Sequence, residues 1–142
     1  MEQNYKNHTR ILTGYHRVLA VLLLAGLIGS VVNLYESWNT ANLYAASLLV
    51  LLFICSLFLY WYVRVFPLKA QDRAIRAEEN FRHYLLTGKI LPSGLRTQQI
   101  VALRFASDEE FPELAHRSVT ESLDGKSIKQ AIRNWRADHY RV

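Results

Sequence analysis

Two long runs without a charged residue constrain this chain more than any other feature. Val18 to Tyr35 reads VLAVLLLAGLIGSVVNLY and Leu43 to Val63 reads LYAASLLVLLFICSLFLYWYV, eighteen and twenty-one residues respectively. As helices rising roughly 1.5 Å per residue, each extends about 30 Å, the thickness of a bilayer's hydrocarbon core. The expectation is a transmembrane helical hairpin with spans at about 18–35 and 43–66, within a unit 1–66, followed by a tail, 67–142. The alternative for the first run is a cleavable signal peptide, since Lys6, Arg10 and Arg17 precede it. No small-x-small cleavage site follows Val32, and the second run comes almost at once, so a retained span is expected.

Charge sets the orientation. The connection Glu36 to Asn42 (ESWNTAN) holds no Lys or Arg, whereas Lys6, Arg10, Arg17, Arg64, Lys69, Arg73 and Arg76 flank the other ends of the two runs. Seven basic residues against none places the connection outside and both termini in the cytoplasm by the positive-inside rule. Tyr35, Trp38 and Tyr44 at one end, with Tyr60, Trp61, Tyr62 and Phe66 at the other, match interfacial aromatic belts. No Asp, Glu, Lys, Arg or His lies near the middle of either run, and intramembrane ionisable groups are the usual mark of proton relays and ion paths. An anchor is expected, not a pump or transporter.

On the first run, Gly26, Ser30 and Asn33 recur at i, i+4 and i+7, and Ala25 and Gly29 widen this small, weakly polar face. Small residues let helices approach closely, and the face suits packing on the second span or docking a partner helix.

The tail reads as all-α. Pro67 disfavours helical geometry at Phe66 and suits a first helical turn, so the second span should end or kink there and a juxtamembrane helix run from about Leu68 to Leu86, with Gly88 as its C′ residue. On that helix Lys69, Arg73 and Arg76 share one face, Ala74, Ile75, Phe81 and Leu85 form an apolar stripe, and Asp72 with Arg76 and Glu78 with Arg82 are spaced as i, i+4 pairs. After a turn at Pro92, Ser93 and Gly94, Thr97 is placed to cap a short helix carrying Ile100, Val101, Leu103 and Phe105. Ser107 with Glu110 reads as a capping box, Pro112 as a restart, and the helix should end near Asp124-Gly125. Ser127 then caps a last helix, with Ile128, Ala131, Ile132 and Trp135 on one face and Lys129, Arg133 and Arg136 on the other. The whole is a small bundle of short cytoplasmic helices.

Charge alternates along the tail: Ser107 to Gly125 carries six acids and one arginine, between two basic segments, within a net charge of +5. Mutual neutralisation is the plain explanation. The sharper one is that Lys69, Arg73, Arg76, Lys129, Arg133 and Arg136 contact anionic lipid or another anionic ligand. Nucleic-acid binding is disfavoured, because a helix-turn-helix at Thr97 to Leu123 would open its recognition helix with Asp108, Glu109, Glu110 and Glu113.

Chemistry is absent from the patterns. His8, His16, His83, His116 and His139 are scattered, with no i, i+4 pair, and read as surface or interface histidines. The single cysteine, Cys55, sits inside an apolar run, and Glu78-Glu79 and Asp108 to Glu110 are sequence neighbours that point in different directions. There is no GxSxG, P-loop or GxGxxG, and nothing calls for a metal or cofactor.

Four strings, QNYKNH (Gln3 to His8), LKAQDRAIR (Leu68 to Arg76), LRFASDEE (Leu103 to Glu110) and KQAIRNWR (Lys129 to Arg136), give the chain a resemblance to an uncharacterised family of small bacterial two-span membrane proteins. The resemblance implies a bacterial inner-membrane protein with a helical cytoplasmic tail and carries over no functional residue. With the sequence pattern it leads to a non-enzymatic protein whose partners are the bilayer and another membrane protein or itself, as an accessory subunit or homo-oligomer.

Overall fold

The computed structural model describes residues 4–5 and 12–138. Lys6, Arg10, His8 and His139 lie outside the described residues. The described chain is helical, with one isolated antiparallel bridge between Ala106 and Trp135. It divides into two compact units, one of Ile11–Phe66 and one built chiefly on Pro67–Val142.

In the first unit a π-helical stretch, Gly14–Leu19, leads into α1, Ala20–Glu36. A tight turn follows, in which Thr40 Oγ1 donates to the Ser37 carbonyl at 2.8 Å and Asn39 takes φ 67°. The next helix, α2, covers Leu43–Thr87. Gly14–Glu36 and Leu43–Thr87 are both long and apolar enough to cross a membrane. The two apolar runs of the hydropathy reading lie within these helices, but the second helix does not end at Pro67. The proline lies inside α2, where its missing N–H leaves the Val63 carbonyl without that one helical partner while the helix continues through Phe66. The second apolar run and the segment after Pro67 are one helix. It stops at Gly88, whose φ of +71° and amide bond to the Tyr84 carbonyl at 2.8 Å make the expected left-handed terminus.

The second unit has its own core. Ile75 of α2 packs with Leu91, Leu95, Leu103, Phe105, Phe111 and Ile128, which come from α3 (Thr97–Leu103), α4 (Phe111–Thr120), α5 (Gly125–Ala131) and the segments between them. Only Ile75 of the expected α2 stripe is buried; Ala74, Phe81 and Leu85 are exposed, and the buried positions beside Ile75 are the polar Glu79 and His83. His83 is thus a core histidine. Its Nδ1 bonds the Lys89 carbonyl at 2.7 Å, which can only accept, and its ring meets Phe111 edge-on at 5.8 Å.

Each expected cap shifts. Arg96 precedes α3, with Thr97 its first residue, and the Arg96 amide donates to Gln99 Oε1 at 2.7 Å. α4 begins after Glu110, so Ser107 is no N-cap and Pro112 sits in the first turn, where a proline is tolerated. α5 is capped by Asp124, whose Oδ1 accepts from the Ser127 amide at 2.7 Å, so Ser127 lies inside the helix.

That amide holds the Asp124 carboxyl below the usual aspartate range. The folded value lies under the unfolded one, near 3.9, so the cap contributes fully above that pH and is lost as pH falls through the lowered folded value. Protection of the Ser127 amide from hydrogen exchange should therefore decline in acid below about pH 4. Asp124→Ser should retain the cap without that acid sensitivity.

α5 ends at Ala131, and Ile132 is extended at ψ 124°. Ile132 and Trp135 are therefore not on the helical face expected of them. The Glu110 carboxylate accepts from the Arg133 and Asn134 amides at 3.0 Å each, Ser107 donates to Asn134 O at 3.0 Å, and Arg136 donates to Phe105 O at 2.7 Å. These bonds pull the segment after Ala131 straight and lay Trp135 against Phe105, with ring centroids 5.2 Å apart.

Candidate interaction surfaces

Within the first unit, the small-residue face divides. A Cβ on Gly26 would collide with the Phe53 ring of α2, so that glycine is there to admit the ring. Ser30 is buried, its hydroxyl donating to Leu27 O at 2.8 Å. Ala25, Gly29 and Asn33 are exposed, with open space around Gly29. Part of the face packs on α2 and part faces outward. A contact without a hydropathy signature joins the π-helical stretch to α2: the Tyr15 ring stacks on Tyr60 at 4.6 Å, and its hydroxyl donates to the Tyr60 carbonyl.

The six cationic residues do not form one site. Lys129, Arg133 and Arg136 share no helical face, because only Lys129 is helical. Lys129 Nζ lies 5.7 Å from the Phe105 ring centroid, while Arg133 and Arg136 are exposed and tie down the chain through their amides. Arg73 and Arg76 do share a cleft of about 500 Å³, lined also by Ala77, Asn80, Ile90 and Leu91. Lys69 is exposed on the same helix but does not line that cleft.

The acidic neighbours separate as their spacing predicts. Glu79 is buried on Arg82 while Glu78 is exposed, and Asp108 and Glu110 serve different partners. Among the described residues, no group of three or more His, Cys, Asp or Glu side chains gathers as a metal site would.

Sequence reasoning missed two polar side chains that organise the second unit, Arg82, whose side chain is largely covered, and the buried Gln99. Arg82 pairs with Glu79 at 2.9 Å, not with the expected Glu78; its Nε donates to Asp108 at 2.7 Å, its Nη2 to Ala106 O at 2.7 Å, and its guanidinium lies 4.4 Å from the Phe111 centroid. Gln99 donates to Ser118 O at 2.9 Å and Leu123 O at 2.7 Å. Ala106 and Asp108, within the string LRFASDEE, thus tie the chain before α4 to α2.

A family model described as "Family of unknown function (DUF6526)" matches residues 1–142. The chain belongs to that family. The membership agrees with the resemblance carried by its four strings and brings no activity, ligand or partner with it. No curated protein and no solved structure matches this family member.

Proposed function

We propose that this family member is an integral protein of the bacterial cytoplasmic membrane, crossing it twice as a helical hairpin with both termini inside, and that it works by holding another membrane protein or a second copy of itself, without catalysis. One observation carries the reading. The most apolar eighteen-residue windows of the two long helices are each only 6% buried. The core helix of a water-soluble protein is covered by its neighbours, and each large apolar side chain left in water forgoes roughly 1.5–3 kcal/mol. Leu22, Ile28, Leu52, Phe58 and Leu59 are all at least 59% exposed. A bilayer supplies the missing cover.

Interaction is supported by the outward residues Ala25, Gly29 and Asn33, which suit a partner helix. Native mass spectrometry after mild-detergent extraction tests this reading: complexes are expected, and a strictly monomeric protein with no companion contradicts it. Alkaline carbonate tests the anchor, since an integral protein stays in the pellet.

A second reading, a tethered module for anionic lipid or nucleic acid, has lost its C-terminal helical face. Its support rests with Lys69, Arg73 and Arg76, because two of them line one cleft. Capture of anionic but not neutral vesicles by the full chain held in neutral-lipid nanodiscs, weakening with salt, would favour it.

A further inference from the structure

From the exposed face of α2 we infer that two copies of this chain pair in parallel along Ala70, Ala74, Ala77, Phe81 and Tyr84. All five are helical and exposed, Phe81 by 63% and Tyr84 by 53%. Their spacing is four, three, four, three, the a/d alternation of a coiled-coil seam. The side of α2 around Ile75, Glu79, Arg82 and His83 is already occupied by the core and buried polar contacts of the same unit. At 3.6 residues per turn the centre of the seam falls on the opposite side of the helix, with Ala77 and Arg73 also bordering the open cleft toward Leu91.

Charge selects the occupant. With Ala74 at position a, Arg73 takes position g and Glu78 takes the following e, and neither makes an ion pair among the described residues. In a parallel pair, g of one helix faces the next e of the other, so Arg73 meets the second copy's Glu78, and two-fold symmetry makes the contact twice. A bilayer surface fits this face less well, because Glu78 at its border would oppose anionic headgroups. Three alanines allow close approach at the start of the seam, while Phe81 and Tyr84 fill the wider end. The parallel sense rests on the proposed membrane reading, since two copies inserted alike present α2 in one direction.

Cysteine cross-linking of the full-length protein in its membrane, in a Cys55→Ala background, tests the pairing. Ala77→Cys, on the seam, should give a disulfide dimer on mild oxidation, and Arg76→Cys, exposed but off it, should give several-fold less. Adding Glu78→Arg to Ala77→Cys should cut dimer formation several-fold, because like charges then face each other, and adding Arg73→Glu as well should restore it. Equal cross-linking at Ala77→Cys and Arg76→Cys, failure of the double exchange to restore the dimer, or capture of a different chain would overturn the pair. Carbonate extraction of the same membranes separates the two readings. Extractable protein that still dimerises removes the anchor and leaves the pair; resistant protein that does not dimerise removes the pair alone.

Discussion

Replacing Arg82 with methionine is expected to destabilise the second unit by about 3–5 kcal/mol, the usual cost of breaking a buried ion pair from one side. The side chains of Arg82 and Glu79 are 10% and 8% exposed, so the substitution strands a carboxylate away from water and also releases Asp108 and the Ala106 carbonyl. Urea unfolding in detergent, with Trp38 and Trp61 changed to phenylalanine, leaves the half-buried Trp135 to report on this unit. The cause has its own test. Glu79→Leu combined with Arg82→Met removes both charges, so the double variant should be more stable than Arg82→Met alone. A double variant less stable than the single one would show that the stranded carboxylate is not the source of the loss.

The second large effect is expected at Gln99, which is 3% exposed and uses both ends of its amide. Gln99→Leu leaves the Ser118 and Leu123 carbonyls and the Arg96 amide without that partner. At roughly 1–3 kcal/mol for each buried polar group so stranded, a loss of about 3 kcal/mol follows after partial rehydration. Gln99→Glu discriminates between packing and hydrogen bonding, because it keeps the shape but turns a carboxylate oxygen toward two carbonyls. It should be at least as damaging as Gln99→Leu in the same urea assay. A mild effect of Gln99→Glu would mean that the site is maintained by shape.

These two side chains mark the limit of what the sequence disclosed. Hydropathy located the apolar helices because a bilayer-length run depends on composition summed over many residues, which no single contact alters. Gly88 was legible for a local reason: a left-handed helix end favours a residue without Cβ. Pro67 does not end α2, because the preference before proline is local and one lost backbone bond does not stop a helix of this length.

The C-terminal error has a tertiary cause. Ile128, Ala131, Ile132 and Trp135 have helical spacing, but Glu110 accepts the Arg133 and Asn134 amides and draws the chain out of the helix. The same diversion explains the failed capping box at Ser107, since Glu110 is engaged elsewhere. It also dissolves the basic face of Lys129, Arg133 and Arg136, whereas Arg73 and Arg76 remain together on an intact helix. The face of α2 was misassigned for a related reason. Arg82 and His83 look solvent-bound in sequence, yet both are turned inward by polar partners that periodicity does not register.

The account rests most heavily on the two-span hairpin, and sidedness tests it most directly. In intact cells of a Cys55→Ala background, Thr40→Cys in the turn between α1 and α2 should react with a membrane-impermeant maleimide. Gln98→Cys, exposed on α3, should react only after the inner membrane is permeabilised. Equal labelling of both positions before permeabilisation, or protection of Thr40→Cys until after it, would contradict a hairpin with its turn outside and its helical tail in the cytoplasm.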